Sequence, residues 1–186
     1  MISHLLIPDA MPKTFFVDAH HPDWADRALA MTREYFTWMD EQIQATCHAS
    51  IEELVGMPLS AYVTFSMNII TPKDGLDAVF YLLATEGEPV AMGGLRRLPS
   101  GHGEVVRIYT KPEHRGQGYG TTVLEKLIVE AKSRGFKTLN LDTGIFMKNA
   151  QSMYASSGFE KCEPYEGAEP PARLLPYWYF MKLELR

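Results

Sequence analysis

A chain of 186 residues is long enough for one domain with a sizeable core, and 46% hydrophobic residues exclude wholesale disorder. A net charge of −5, with acidic and basic residues mixed along the chain, argues against a nucleic-acid-binding surface. The two cysteines, Cys47 and Cys162, lie far apart without metal-ligand spacing, the opening MISHLLIPDAMPK lacks the basic and apolar regions of a signal peptide, and no apolar run reaches bilayer length. These features predict one domain over residues 1–186, cytoplasmic, with no metal, membrane or nucleic-acid partner.

Residues 1–13 read as an irregular lead-in, and Thr14 to Val17 as a first short strand. Asp23 stands where a helix cap belongs, and apolar residues at Trp24, Ala28, Met31, Tyr35, Trp38 and Met39 then recur at helical spacing. The pair His20–His21 reads as a loop rather than a metal site. Ile51 to Val55 is a short helix stopped by Gly56, Ala61 to Ile70 fits neither period cleanly, and residues 72–75 form a turn. From Ala78 the pattern is a meander of three antiparallel strands, Ala78 to Thr85, Val90 to Leu98 and Glu104 to Thr110. The Gly93–Gly94 pair inside the second marks a bulge or a close approach of backbone. Thr121 to Arg134 is the strongest helix, closed by Gly135, and Lys137 to Asp142 alternates as a strand. Strand, helix and strand in that order require a crossover, so these two strands are expected to be parallel neighbours. A short helix over 148–157, a strand from Phe159 to Glu163, a proline-rich excursion and a last strand from Tyr177 to Leu185 complete the chain.

The segment HRGQGYG between the third meander strand and the strongest helix suits a phosphate. Glycines let the backbone approach an anion, and a helix start offers free N–H groups and partial positive charge. A P-loop is excluded because Thr121 stands where its second glycine belongs and no Lys follows. A dinucleotide fingerprint is excluded because the spacing is G-x-G-x-G at Gly116, Gly118 and Gly120. The template [QR]-x-x-G-x-[GA] is met by Arg115, Gly118 and Gly120.

With its preceding strand, this stretch resembles the pyrophosphate loop of the GNAT superfamily of acyl-CoA-dependent N-acyltransferases. Downstream, MKNAQSMYASSGFE resembles a second segment of that family at Ala150, Tyr154, Gly158 and Phe159, and the resemblance covers residues 77–186. It implies an α/β fold. In it an antiparallel meander is followed by a parallel fourth and fifth strand pair splayed around the cofactor, with helices on both faces. It implies acetyl-CoA as cosubstrate, held by Arg115, Gly116, Gln117, Gly118, Tyr119 and Gly120 at the pyrophosphate and by Ile108, Tyr109 and Thr110 along the pantetheine. The Asn that many members carry seven residues before the helix Tyr is Met147 here, so Asn149 is carried over as the nearby contact, with Tyr154.

Acyl transfer to an amine needs a proton donor for the departing thiolate and an acceptor for the ammonium proton. Tyr154 is the candidate acid. Glu104 is the first candidate base, ahead of His102 and His114, and Cys162 lacks the His–acid pair an acyl-enzyme would need. The expected reaction is direct transfer of an acetyl group from acetyl-CoA to a primary amine of a small molecule or amino-acid-like acceptor. A pocket of aromatics with Glu34 or Glu104 would suit an amine, and Arg96 or Arg107 would suit an amino acid. The alternatives are a non-catalytic acyl-CoA-binding sensor and a protein or peptide N-acetyltransferase. The last hairpin, rich in aromatics, is a candidate homodimer contact.

Overall fold

A strand covered on both faces reads as an unbroken apolar run rather than an alternation, and AVFYLLAT is such a run. A computed structural model, which describes residues 13–70 and 78–186, places it inside a sheet between two layers of helices. The lead-in expected before residue 13 and the turn expected at 72–75 lie outside the described residues. The strands are β1 (Thr14–Asp18), β2 (Ala78–Thr85), β3 (Glu88–Arg97), β4 (Gly103–Thr110), β5 (Thr138–Gly144), β6 (Glu160–Cys162) and β7 (Trp178–Glu184). The helices are α1 (Ala25–Cys47), α2 (Ile51–Val55), α3 (Leu59–Ile70), α4 (Tyr119–Ser133) and α5 (Lys148–Ser156).

The strands form a seven-stranded sheet in the order β1-β2-β3-β4-β5-β7-β6. The pair β4–β5 is parallel, as the crossover through α4 requires, and the other pairs are antiparallel. The α/β fold class expected from the chain is therefore the one observed. On one face α4 buries Val123, Leu124, Leu127 and Ala131 against Val79 and Leu83 of β2 and Leu95 of β3. On the other, Ala28 and Met31 of α1 and Ile70 of α3 meet Phe80, Leu82 and Met92. Each of the larger of these side chains, the valines, leucines, isoleucine, phenylalanine and methionines, is worth about 1.5–3 kcal/mol relative to exposure.

Local chemistry explains most boundaries. Glu86 and Gly87 join β2 to β3 with φ of 52° and 87°, the doubly left-handed pattern of a tight hairpin. Ser50 and Glu53 cap α2 reciprocally, Ser50 Oγ accepting from Glu53 N at 3.1 Å and Glu53 Oε2 from Ser50 N at 2.9 Å. Asp23 does not cap α1. Pro22, whose fixed φ suits the first position of a tight turn, opens a 3-10 turn over Pro22–Trp24 that His21 caps, and α1 follows from it. The ambiguous stretch is the helix α3. Its buried residues Val63, Ser66 and Ile70 keep helical spacing, but a polar Ser66 inside and apolar Phe65 and Ile69 outside blur the pattern.

Gly93 and Gly94 answer both expectations. A β-carbon on Gly93 would stand 2.6 Å from Val123 Cγ1 of α4, and one on Gly94 2.9 Å from Phe80 Cδ2. Opposite them β4 is bulged. Met92 pairs with Tyr109 and Gly94 with Val106, so Arg107 and Ile108 face the single residue Gly93. Arg107 takes a φ of 55°, uncommon for a residue with a side chain. Among the described residues no helix is long and apolar enough to cross a membrane.

Candidate active site

The parallel pair β4–β5 holds register only at Gly103 with Leu139 and Glu104 with Asn140, and beyond it the strands part. A cavity of about 560 Å³ occupies the gap, bounded by β4 and β5, by the start of α4, by α5 and by Tyr35 and Trp38 of α1.

At one end lies the glycine loop. Gly116 and Gly118 have φ of 78° and 83°, and a β-carbon on either would meet nothing within 4 Å. These glycines are needed for backbone conformation and leave open space above it. Gly118 is the N-cap of α4, and no side chain caps the helix. The first-turn N–H groups of α4 therefore point outward without an intrahelical acceptor. Arg115 is exposed and crosses the mouth. Its Nε donates to Thr110 O at 3.2 Å, and its guanidinium lies 5.6 Å from the Trp38 ring centre and 5.8 Å from that of Tyr109.

The cavity brings together Ile108, Tyr109, Thr110, Arg115, Gly116, Gly118, Tyr119, Gly120, Asn149 and Tyr154 from the residues singled out in the sequence. Gln117, in the same loop, does not line it. Glu104 does not line it either. It is wholly buried, paired with Arg96 Nε and accepting from Tyr165 Oη at 2.7 Å. Burial raises the Glu104 pKa, and the Arg96 guanidinium opposes it. Tyr154 projects from α5 and is buried. Desolvation first, and the nearby Asp142 second, push its phenol above the ordinary range, so it stays protonated.

Asp142 was missed by sequence reasoning. It stands on β5, faces the cavity, and accepts from Trp178 Nε1 at 2.6 Å. Burial, with the charges of Glu104 and Glu169 adding to it, pushes its pKa up to about 8. The signal was present in LNLD. Asn140 and Asp142 fall on one face of a strand that the crossover makes interior, where a carboxylate is costly unless used. Glu169, from the proline-rich excursion, also reaches the cavity, where its Oε1 accepts from Arg107 Nη2 at 3.0 Å. Among the described residues no cluster of three or more His, Cys, Asp or Glu is arranged to hold a metal ion.

The model of the acetyltransferase (GNAT) family matches residues 12–159, which is most of the chain. The protein belongs to the GNAT acetyltransferase family. Relatives of this acetyltransferase include the uncharacterized N-acetyltransferase YsnE of Bacillus subtilis, 31% identical over 134 residues, which are 63% of this chain and 89% of that protein. The IAA acetyltransferase of Azospirillum brasilense is 30% identical over 90 residues, 48% of this chain and 59% of that protein. Among solved structures, the PaiA N-acetyltransferase of Thermoplasma acidophilum in complex with coenzyme A aligns with a TM-score of 0.67 at 17% identity, covering 92% of this chain and 99% of that one. An acetyltransferase of Streptococcus agalactiae aligns at 0.68 and 16% identity, covering 92% and 98%. These two structural likenesses concern the fold. In the acetyltransferase cleft a phenol held protonated and a carboxyl of raised pKa face one space, with an uncapped helix start at its end. Such a space can hold an anion and move protons in both directions.

Proposed function

We propose that the protein transfers an acetyl group from acetyl-CoA to the primary amine of a small-molecule acceptor, directly and without an acyl-enzyme. The observation that carries this reading is the shared cleft: the uncapped glycine start of α4 opens into the same cavity as Tyr154 and Asp142. The cleft fits coenzyme A. Open space lies over Gly116 and Gly118, where β-carbons would meet nothing within 4 Å, and the β4–β5 gap continues from it. The reading takes residues 1–186 as one catalytic domain.

Bound acetyl-CoA supplies an activated acyl group, and the C–N bond to the acceptor forms as the C–S bond breaks. The amides of the loop from Gly116 to Gly120, with Arg115, hold the pyrophosphate by charge-assisted hydrogen bonds. Ile108, Tyr109 and Thr110 line the pantetheine path, and Asn149 stands at the start of α5 beside it. Arg107 and Ile108 have no register partner on β3, so the bulge frees peptide groups of β4 for the cleft. The amide of Ile108 there would donate to the charge that grows on the thioester oxygen. Asp142 takes a proton from the acceptor ammonium and passes it to solvent. Tyr154 gives its proton to the leaving thiolate, and the second proton lost by the nitrogen restores the phenol. Glu104, expected as base, is held by Arg96 and Tyr165 outside the cavity, so in this reading Asp142 takes that role.

The test is Tyr154→Phe with two readouts, calorimetric titration with acetyl-CoA and thiol release with amines. An enzyme should keep its acetyl-CoA affinity and lose about 10²–10⁴ in kcat. Unchanged turnover would remove Tyr154 from the chemistry. Wild-type protein that failed to bind acetyl-CoA would overturn the whole proposal.

A further inference from the structure

A second, smaller cavity of about 80 Å³ adjoins the cleft and shares Tyr35, Met39, Asp142, Glu169 and Trp178 with it. Its far wall is apolar, formed by Ile43 of α1, Leu54 and Val55 of α2, and Leu174. Asp142 and Glu169 line both cavities, so a molecule that reaches the side pocket from the cleft passes their carboxyl groups.

From this arrangement we infer that the acceptor is a compact aliphatic monoamine, its ammonium between Asp142 and Glu169 and its carbon chain in the side pocket. The inference rests on the acetyltransferase reading and narrows its substrate. Charge disfavours an amino acid at this position. The two arginines that would receive an α-carboxylate are both engaged. Arg107 donates to Ser66 O at 3.2 Å and to Glu169 at 3.0 Å with its side chain 2% exposed, and Arg96 pairs with Glu104 and donates to Gly167 O at 2.7 Å. A carboxylate would meet Glu169 and the ionised form of Asp142 with both of these arginines already bonded, whereas an ammonium meets opposite charge in a partly desolvated space. Size sets the body. A cavity of about 150 Å³ holds benzene, so about half that volume has room for about three or four carbons.

The experiment is thiol release by the full chain over methylamine, ethylamine, n-propylamine, n-butylamine and n-hexylamine, with norvaline as the carboxylated counterpart of n-butylamine. Acetyl-CoA binding is measured separately by calorimetry. The expected kcat/KM peaks at propylamine or butylamine and falls at least ten-fold for norvaline. Leu54→Phe, which fills the side pocket, should move the optimum to ethylamine and raise the KM for butylamine at least ten-fold, with acetyl-CoA affinity kept as evidence of folding. The wild-type series stands without the variant. Norvaline turning over as fast as butylamine, hexylamine being preferred, or acetyl-CoA binding without turnover of any of these amines would each overturn the inference while leaving the cofactor site intact. Absence of acetyl-CoA binding would overturn the acetyltransferase reading and this inference with it.

Discussion

Two carboxylates in the chain have different fates because of what surrounds each. Glu104 is buried with Arg96 and Tyr165 as partners, whereas Asp142 has the Trp178 N–H and a cavity in front of it. Burial raises the Asp142 pKa to about 8, so its folded-state value lies far above the ordinary aspartate value of about 4. Between these values the folded protein holds a proton that the unfolded chain has released. Stability from this group is therefore present at the acid end and lost as pH rises towards 8. Asp142→Asn removes the dependence, so the melting temperature of the variant should gain on wild type between pH 5 and pH 8, as thermal denaturation at both pH values would measure. The same substitution should cost about 10²–10⁴ in kcat/KM and abolish the inflection near pH 8 in the rate profile. A profile unchanged in the variant would count against Asp142 as base.

Within the elements, the start of α4 forms the end of the cleft proposed for the cofactor. Gly118 and Gly120 are both glycines, but for different reasons. At Gly118 the φ of 83° forces the choice, while at Gly120 a β-carbon would make ordinary contacts, 3.4 Å to Met153 Sδ and 3.5 Å to Thr110 Oγ1. Gly118→Ala should lower unfolding stability by about 1–2 kcal/mol in urea titration, because the left-handed backbone then carries a side chain. Gly120→Ala lies inside the helix and should leave stability equal or slightly higher, since alanine is the better helix former. Its methyl group faces the cleft, so it should weaken acetyl-CoA binding alone. The loop was legible in the sequence because glycine spacing and helix onset are local properties. The bulge in β4 was not, because Arg107 is a residue that seldom takes a positive φ and nothing in EVVRIYT announces one.

For the molecule as a whole, the excursion between β6 and β7 ties the sheet together. It returns Tyr165 to Glu104, Gly167 to Arg96 and Glu169 to Arg107, joining β3, β4 and the last hairpin through buried charges. Glu104→Gln leaves Arg96 without its anion and should cost about 3–5 kcal/mol in chemical denaturation. A loss near zero would mean that Arg96 finds another partner. Of the aromatics that suggested a dimer contact, Trp178 bonds Asp142 and Tyr165 packs on Phe180 at 5.7 Å, while Tyr179 stays half-buried under the exposed Lys161 at 4.1 Å. The edge strand β6 is three residues long with exposed Glu160 and Lys161, which discourages edge pairing.

What the amino-acid order determined by itself was local. Helix period, turn chemistry and glycine spacing placed the meander, α4 and the glycine loop, because each depends on residues within a few positions of one another, whereas Tyr154 was singled out by resemblance to the family. The order strand, helix, strand also set the parallel β4–β5 pair, because a crossover admits one hand and one sense. Only the tertiary structure decided which carboxylate meets the cleft. Glu104 and Asn140 are register partners at the last point where β4 and β5 still pair, and Asp142 lies two residues further along, where they have parted. Strand alternation assigns residues to a face but carries no information on where two strands separate. At that point Tyr165, from a proline-rich segment 61 positions away, bonds Glu104, and just beyond it β4 bulges at Arg107 and Ile108, features that no local pattern encodes.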